Sequence, residues 1–588
     1  MSTTTTKQLQ EQRKYGLLSM ISLIVGVVIG SGIFFKNRSM ADATQSAVIS
    51  LSAWLVVALI VAFMTIAFIE IASSTSKSGE VGSYGTWGDK FIGPKTGKYI
   101  ELFFTYIYMP TLYLILALVA GEMFFEMIYV SLKLEFWEVS TVALAWMRWA
   151  IIFIFGIILI LGILWMNTRT SKPGKILQVT GTALKIVPLL LISILGILAA
   201  ANVFGSDYVS VLDPDKNPAF QDENTWGITK LLMFALPAAM FSFDGFTHAA
   251  TMQNEAKTKN TFKNALIISV VFIVGIYLIS SWAVFYIGGE GVEYTVQATV
   301  REIFDAEWVY ILMSLLIVIS VITGLSGNII FGNRQYASLS EKNYIADTNG
   351  EVLRRNKAGV PYNAAKRMSL IALMWMLYLF PMDALSMWGQ VTFGGGEITN
   401  FFAATEYKVD IATVGAFIVY TMIMIGALRN RKTKSVEVEE VKGFVSSTIV
   451  ASVMMSIIAV FMVGDILNFE IFHGNVDPMV LINDITKLLT TIVMTTVLIV
   501  VYKRTEKEVD ETTISQFRKK EQYVDAFQSM MTMSEYKEAQ KIKKKRANTA
   551  KAKRANTKTK AKTAKTGSST SKQTAKKKVA TRTTKSKQ

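Results

Sequence analysis

Two short stretches and one lysine carry the chemistry this sequence could perform. Gly30, Ser31 and Gly32 lie inside an apolar run. Glycine is about 1 kcal/mol worse than alanine in a helix interior, so the trio invites the backbone to leave helical geometry. In lipid, unwound backbone is tolerated only where it lines a protein cavity. N–H groups freed at the start of the following half-helix form an anion site that suits a carboxylate. A close-packing face of small residues between helices would use the same residue types. The second stretch runs from Phe241 through Ser242, Phe243, Asp244 and Gly245, shortly after Pro237. A carboxylate in mid-membrane costs roughly 2.5–3.5 kcal/mol on insertion scales. Beside glycine it marks a second break, whose exposed carbonyls suit an ammonium group. The alternative for Asp244 is a structural carboxylate bonded to neighbouring helices. Lys185 lies within a third apolar run, about 13 Å from its start at a helical rise, too deep to snorkel easily. Burial disfavours a charged ammonium, and an unpaired buried charge is costly. Lys185 is therefore a candidate either for proton exchange or for a fixed charge bracing its neighbours, with Thr323, Ser326 and Asn328 as candidate polar partners.

Apolar runs long enough to cross a bilayer, about 20 residues each, must position these groups. Twelve are expected: 17–35, 48–71, 100–130, 147–165, 176–203, 227–252, 266–287, 309–331, 368–388, 411–428, 444–467 and 482–502. The two breaks fall in the first and sixth, five spans apart. Matched breaks in two halves of a chain point to a binding site built on inverted repeats. Glu101 and Glu122, near the ends of the third span, are expected to reach interfacial water. Tyr106, Tyr108 and Tyr113 could line a cavity or simply pack.

Charge sets the orientation and the domain boundaries. Loops on the N-terminal side carry Lys77, Lys90, Lys95, Lys98, Arg169, Lys172, Lys175, Arg354, Arg355 and Lys357. The opposite loops lean acidic, with Asp207, Asp213, Asp215, Asp222 and Glu223. This bias predicts cytoplasmic termini and a multi-pass protein of the cell membrane. Residues 541–588 hold 19 Lys and Arg and no Asp or Glu, more than the whole net charge of +17. The expected organisation is a cytoplasmic lead at 1–16, a twelve-span membrane domain at 17–503, a charged cytoplasmic segment at 504–540 and a disordered Lys-rich cytoplasmic tail at 541–588. The tail could bind anionic lipid headgroups or nucleic acid, or merely solubilise. The first apolar run lacks a small-residue cleavage site and reads as a span, not a signal peptide. The sequence has no cysteine, which removes disulfides and thiolate chemistry. It shows no Walker A motif, no metal-ligand cluster and no nucleophile–base pair, so neither an enzyme nor a cofactor is expected.

Three stretches carry a family resemblance. They are Ile29 to Phe34, like a GSGIF motif; Ile69-Glu70 followed by Lys77-Ser78-Gly79-Glu80, like AELAS and PKSGGEY; and Phe241 to Phe246 with Asn254-Glu255 to Lys257, like FAFDG and EVKNP. In this order the chain resembles the amino acid–polyamine–organocation (APC) superfamily of permeases over about residues 15–503. It departs at Ser76, where the motif has Pro, at Glu80 directly after Gly79, at Thr258, and in a longer loop around 389–410. The resemblance implies an all-α membrane protein of twelve helices. Its fold would be leucine-transporter-type, a 5+5 inverted repeat with helices one and six broken, plus two peripheral helices. It implies a secondary transporter carrying an amino acid by alternating access, with a substrate site at Gly30, Ser31, Gly32, Ile33, Phe241, Ser242, Phe243, Asp244 and Gly245. In it, N–H groups around Ser31 to Ile33 would take the carboxylate. Carbonyls of Phe241, Ser242 and Asp244 would take the amine, and Phe241 would close over the substrate. Lys185 matches a lysine that replaces sodium in sodium-independent members, which favours proton symport. Amino-acid exchange, and a non-transporting sensor with the basic tail as output, are the alternatives.

Overall fold

The computed structural model describes residues 16–30, 32–44, 46–78, 82–132, 142–169, 171–204, 225–246, 256, 258–288, 294–347, 350–354, 361–393, 402–467 and 477–510. Its elements are helical. The first expected span is two helices, α1 (Leu17–Val28) and α2 (Gly32–Thr44). Then come α3 (Ala47–Ser78), the short α4 (Tyr84–Phe91) and α5 (Pro94–Phe103), which a π-turn (Phe104–Tyr108) joins to α6 (Met109–Leu132). Next are α7 (Val142–Arg169), α8 (Ser171–Ala200), α9 (Thr225–Phe243), α10 (Lys259–Ile287), α11 (Val296–Phe304) and α12 (Glu307–Glu341). The last four are α13 (Tyr362–Phe393), α14 (Ala403–Thr433), α15 (Phe444–Ile466) and α16 (Pro478–Asp510).

Local chemistry sets many of the ends. Ser83 accepts the Thr86 N–H at 3.1 Å and starts α4; Thr258 accepts that of Thr261 at 3.1 Å and starts α10. A side-chain acceptor there satisfies one of the orphan donors of a first helical turn. Gly93 adopts φ +147°, a conformation side chains disfavour, and Pro94 behind it opens α5 with a preset φ.

Among the described residues, eleven helical stretches are long and apolar enough to cross a membrane. Their apolar faces are the core and the lipid-facing surface of one bundle. The remaining expected span, 227–252, begins as α9 and halts at Asp244 and Gly245; residues 247–252 lie outside the described residues. The boundary at 503 is not marked by a break, because α16 runs on to Asp510. Residues 511–588, with the expected tail, lie outside the described residues. Burial is uneven: 83% of the most apolar stretch of the third span, Pro94–Leu132, is buried, against 22% of that of the last. The third is therefore the enclosed centre and the last is peripheral. Helices α1, α2, α3, α9 and α10 pack together, as do α6, α7, α12 and α13, while α14 touches both groups.

Glu101 does not reach interfacial water. It is fully buried, because it holds one end of the bundle together. Its Oε2 accepts Ser83 Oγ at 2.9 Å, its Oε1 accepts Ser338 Oγ at 2.5 Å, and Lys342 Nζ is 3.6 Å away. Lys342 also donates to Ser83 Oγ at 2.8 Å. Burial pushes the Lys342 ammonium down from the usual lysine range, and Glu101 leads the acidic groups that pull it back up. Gly85 faces Glu101 so closely that a Cβ there would overlap the carboxylate. Glu122, by contrast, is one-third exposed beside Arg148 at 3.9 Å. Glu101→Ala is expected to destabilise the protein by about 1–3 kcal/mol, since buried hydroxyl donors lose their acceptor. A thermal unfolding midpoint equal to the parent's would show that the cluster bears no load.

Candidate functional site

The site begins where α1 stops. Ile29 has φ −71° and ψ 91°, so its backbone is extended, although its N–H still reaches Val25 O at 2.9 Å. The last carbonyls of a helix have no partner within it. Lys185 of α8 supplies two: its Nζ donates to Gly26 O at 2.8 Å and to Ile29 O at 2.7 Å. A cation there also complements the negative end of the helix dipole. The Tyr277 hydroxyl of α10 donates to Val28 O at 3.3 Å and also lies 3.3 Å from Ser242 O. Two side chains from distant spans thus finish the end of α1.

The end of α9, at the second expected break, has a different cause. Asp244 N still reaches Phe241 O at 3.2 Å, but Gly245 turns to φ +106°, which L side chains disfavour. The Asp244 carboxylate folds back on that turn. Its Oδ1 accepts Gly245 N at 2.9 Å and the Tyr420 hydroxyl of α14 at 3.1 Å. Its Oδ2 is buried without a hydrogen-bond partner among the described residues. The carboxylate faces a very small void bounded by Val61, Met64, Phe246 and Phe417.

The start of α2 and the end of α9 meet. A Cβ on Gly32 would lie 2.5 Å from Ser242 Oγ and 2.6 Å from Ser242 Cα. A Cβ on Gly245 would lie 3.3 Å from Val27 Cγ1. Gly324 of α12 closes the far side, 3.8 Å from Gly30 Cα by the same measure. Ile33 and Phe243 are buried at this junction, and Phe243 packs edge-on against Trp54 at 5.9 Å between ring centres. Ser31 lies outside the described residues. Of the carbonyls assigned to an amine, those of Phe241 and Ser242 carry the Asp244 N–H and the Tyr277 hydroxyl respectively; a carbonyl has a second lone pair for a further donor.

The polar residues on α12 take other partners. Thr323 Oγ1 donates to Ser320 O at 2.8 Å, Asn328 Nδ2 to Gly324 O at 3.0 Å, and Ser326 Oγ lies 3.2 Å from Asn167 Nδ2. Thr323 nevertheless packs on Gly181, one turn before Lys185. Of the tyrosines, Tyr108 and Tyr113 are fully buried, and the Tyr113 hydroxyl donates to Asn328 O at 3.2 Å. None of the three lines the cavity beside Phe241.

That cavity, about 190 Å³, lies at the side of the bundle where α2 ends. Its walls include Lys36, Phe241, Tyr407, Asp410, Ile411 and Lys487. Phe241 is its floor nearest the breaks, and Lys36 Nζ stands 5.4 Å over the Phe241 ring. Charges of both signs beside an aromatic floor suit a small zwitterion. At the opposite side the bundle is tied shut by Glu101 and Lys342, and by Arg431, which meets Glu70 at 2.7 Å and Glu440 at 2.6 Å.

Sequence reasoning missed Tyr277, Tyr420 and Lys408 of α14. Lys408 is fully buried. Its ammonium bonds Thr111 Oγ1, lies 3.4 Å from Ile107 O and stands 4.2 Å over the Trp375 ring. A charged residue flanking an apolar run was its only signal.

Known proteins resemble this chain along most of its length. Residues 15–501 match the family described as amino acid permease. The human b(0,+)-type amino acid transporter 1 is 23% identical over 77% of this chain and 82% of its own length. An uncharacterized Mycoplasma pneumoniae protein is 25% identical over 48% of this chain, and the alignment spans 52% of that relative. The crystal structure of MhsT in complex with L-phenylalanine aligns with a TM-score of 0.44 at 15% identity, covering 75% of this chain and 98% of that one. The family match covers both expected helix breaks, the buried Lys185 and the eleven candidate spans among the described residues, and the chain is accordingly a multi-pass membrane protein belonging to the amino acid permease family.

Proposed function

We propose that the protein is a secondary transporter that moves an amino acid across the cell membrane by alternating access, with both termini cytoplasmic. The observation that carries this reading is the contact between the two helix breaks, Gly32 against Ser242. It brings the start of α2, an N–H-rich helix terminus suited to a carboxylate, beside carbonyls that can take an amine. The substrate set is Gly30, Ser31, Gly32, Ile33, Phe241, Ser242, Phe243, Asp244 and Gly245. In this set Asp244 acts through its backbone, because its side chain is turned toward Tyr420. The cavity above Phe241 is the outward vestibule, and the ion pairs at the other end are the closed inner side.

Lys185 is the coupling residue, and proton symport is the mechanism proposed for it. Its ammonium is held by two neutral carbonyls, so losing a proton would leave no stranded carboxylate. Thr323, Ser326 and Asn328 are placed as the polar surroundings of its path. The transport domain is taken as 17–503 and the tail, 541–588, as a ligand for anionic lipid headgroups. The relative described as a b(0,+)-type amino acid transporter supports an amino acid as cargo.

The deciding experiment is uptake of a panel of labelled amino acids into proteoliposomes, with and without an inward proton gradient. Gradient-driven accumulation of at least one is the expected result. Uptake confined to vesicles preloaded with amino acid would make the protein an exchanger. Binding without any flux would make it a sensor.

A further inference from the structure

We infer that Lys408 is a positioning residue that fixes the vestibule wall of α14. The inference rests on the reading of the cavity as part of the substrate path.

The wall and the anchor share the same turns. Tyr407, Val409, Asp410 and Ile411 line the cavity, while Lys408 between them is fully buried and lines none of it. Its ammonium meets Thr111 of α6, the Ile107 carbonyl of the π-turn and the Trp375 ring of α13. A π-turn leaves carbonyls without their usual i+4 donors and is often found at functional sites. Here the neighbours engage two carbonyls of the turn: Ile107 O, which also accepts Thr111 Oγ1 at 2.6 Å, lies 3.4 Å from Lys408 Nζ, and Tyr106 O accepts Trp375 Nε1 at 2.7 Å. One bulge in the central span therefore docks α13 and α14 together. Farther along α14, Gly415 lets the helix approach α5 so closely that a Cβ would lie 2.6 Å from Phe103 Cζ.

No carboxylate among the described residues lies within ion-pair distance of Lys408. An ammonium on a buried helix face is expensive, and an aliphatic side chain would fill the same space without that cost. What the ammonium adds is direction: a hydroxyl, a carbonyl and a ring face meet at one point, so the rotation and height of α14 at Ile411 are set.

The chain has no cysteine, which allows a direct test in the full-length protein. Ile411→Cys places a thiol on the vestibule wall, and Glu437→Cys places a control on an exposed loop. The modification rate of each by a maleimide is measured in detergent-solubilised protein, where both faces are open to the reagent, alone and with Lys408→Met or Lys408→Arg. Lys408→Met is expected to change the rate at position 411 roughly tenfold, the factor expected for losing a charge-assisted hydrogen bond. Lys408→Arg should stay near the parent rate, and position 437 should not respond. An unchanged rate at 411, or equal changes at 411 and 437, overturns the inference. If Lys408→Met does not fold, Thr111→Val replaces it. That variant removes one partner and keeps the lysine, so a change confined to 411 supports the inference and an unchanged rate overturns it. Absence of uptake by the unsubstituted protein would overturn the transport reading alone, because the thiol rates need no substrate.

Discussion

Lys185→Met is expected to abolish uptake while leaving a folded, extractable protein. Removing the ammonium leaves Gly26 O and Ile29 O without the donor they share. An unpaired buried acceptor costs about 1–3 kcal/mol, and both carbonyls lie at the end of α1 on which the proposed substrate site is built. Water cannot easily replace the donor, because the lysine is fully buried. The arginine variant separates the two roles open to this residue. Arginine keeps the charge but does not release its proton in proteins. If Lys185 exchanges protons, Lys185→Arg loses gradient-driven accumulation yet retains exchange between preloaded vesicles. If Lys185 is a fixed brace, Lys185→Arg supports both. Parent-level uptake by Lys185→Met would remove the lysine from the mechanism altogether.

The second large effect is an asymmetry between two glycines two residues apart. Gly32→Ala is expected to reduce uptake tenfold to a hundredfold, whereas Gly30→Ala is expected to be mild. A Cβ on Gly32 would press on Ser242 Cα at 2.6 Å, and a backbone atom cannot swing aside as a side chain can. Overpacking of this kind costs about 1–3 kcal/mol, and the strain falls on the contact between the breaks. A Cβ on Gly30 meets nothing nearer than Val28 O at 3.9 Å. Initial uptake rates at matched protein density in proteoliposomes are the measurement. Equal losses at both positions would mean that loss of backbone freedom, not the Ser242 contact, is what matters.

The features legible in the sequence are those that violate the pattern around them. Gly30, Gly32, Asp244, Gly245 and Lys185 stand out because each is costly in an apolar helix. The structure finds a distinct cause for three of them: a close approach at Gly32, a positive φ at Gly245 and a helix end for Lys185. Lys408 was hidden by the same logic. With Glu406 and Asp410 beside it, hydropathy starts the tenth span at 411, but α14 begins at Ala403 and carries the lysine inside. Only Thr111, Ile107 and Trp375, all remote in sequence, make that position tenable. Glu101 was misplaced for a related reason. Nothing local distinguishes a carboxylate at a helix end in water from one buried by a neighbouring loop and α12. The π-turn has no glycine or proline within Phe104–Tyr108 to announce it. It is a tertiary feature, defined by the groups that use its carbonyls.

That turn also sets the angular phase of the longest-buried span. A residue added to a helix advances everything after it by roughly 100°. Because of the π-turn, α5 presents Glu101 to Ser83 and Ser338 while α6 presents Thr111 to Lys408 and Tyr113 to α12. A regular α-helix of the same sequence could satisfy one end or the other. Deleting a single residue within 104–108 would therefore be a different lesion from substituting any of them. It would leave every side chain's identity outside the turn intact while turning half of the central helix toward the wrong neighbours.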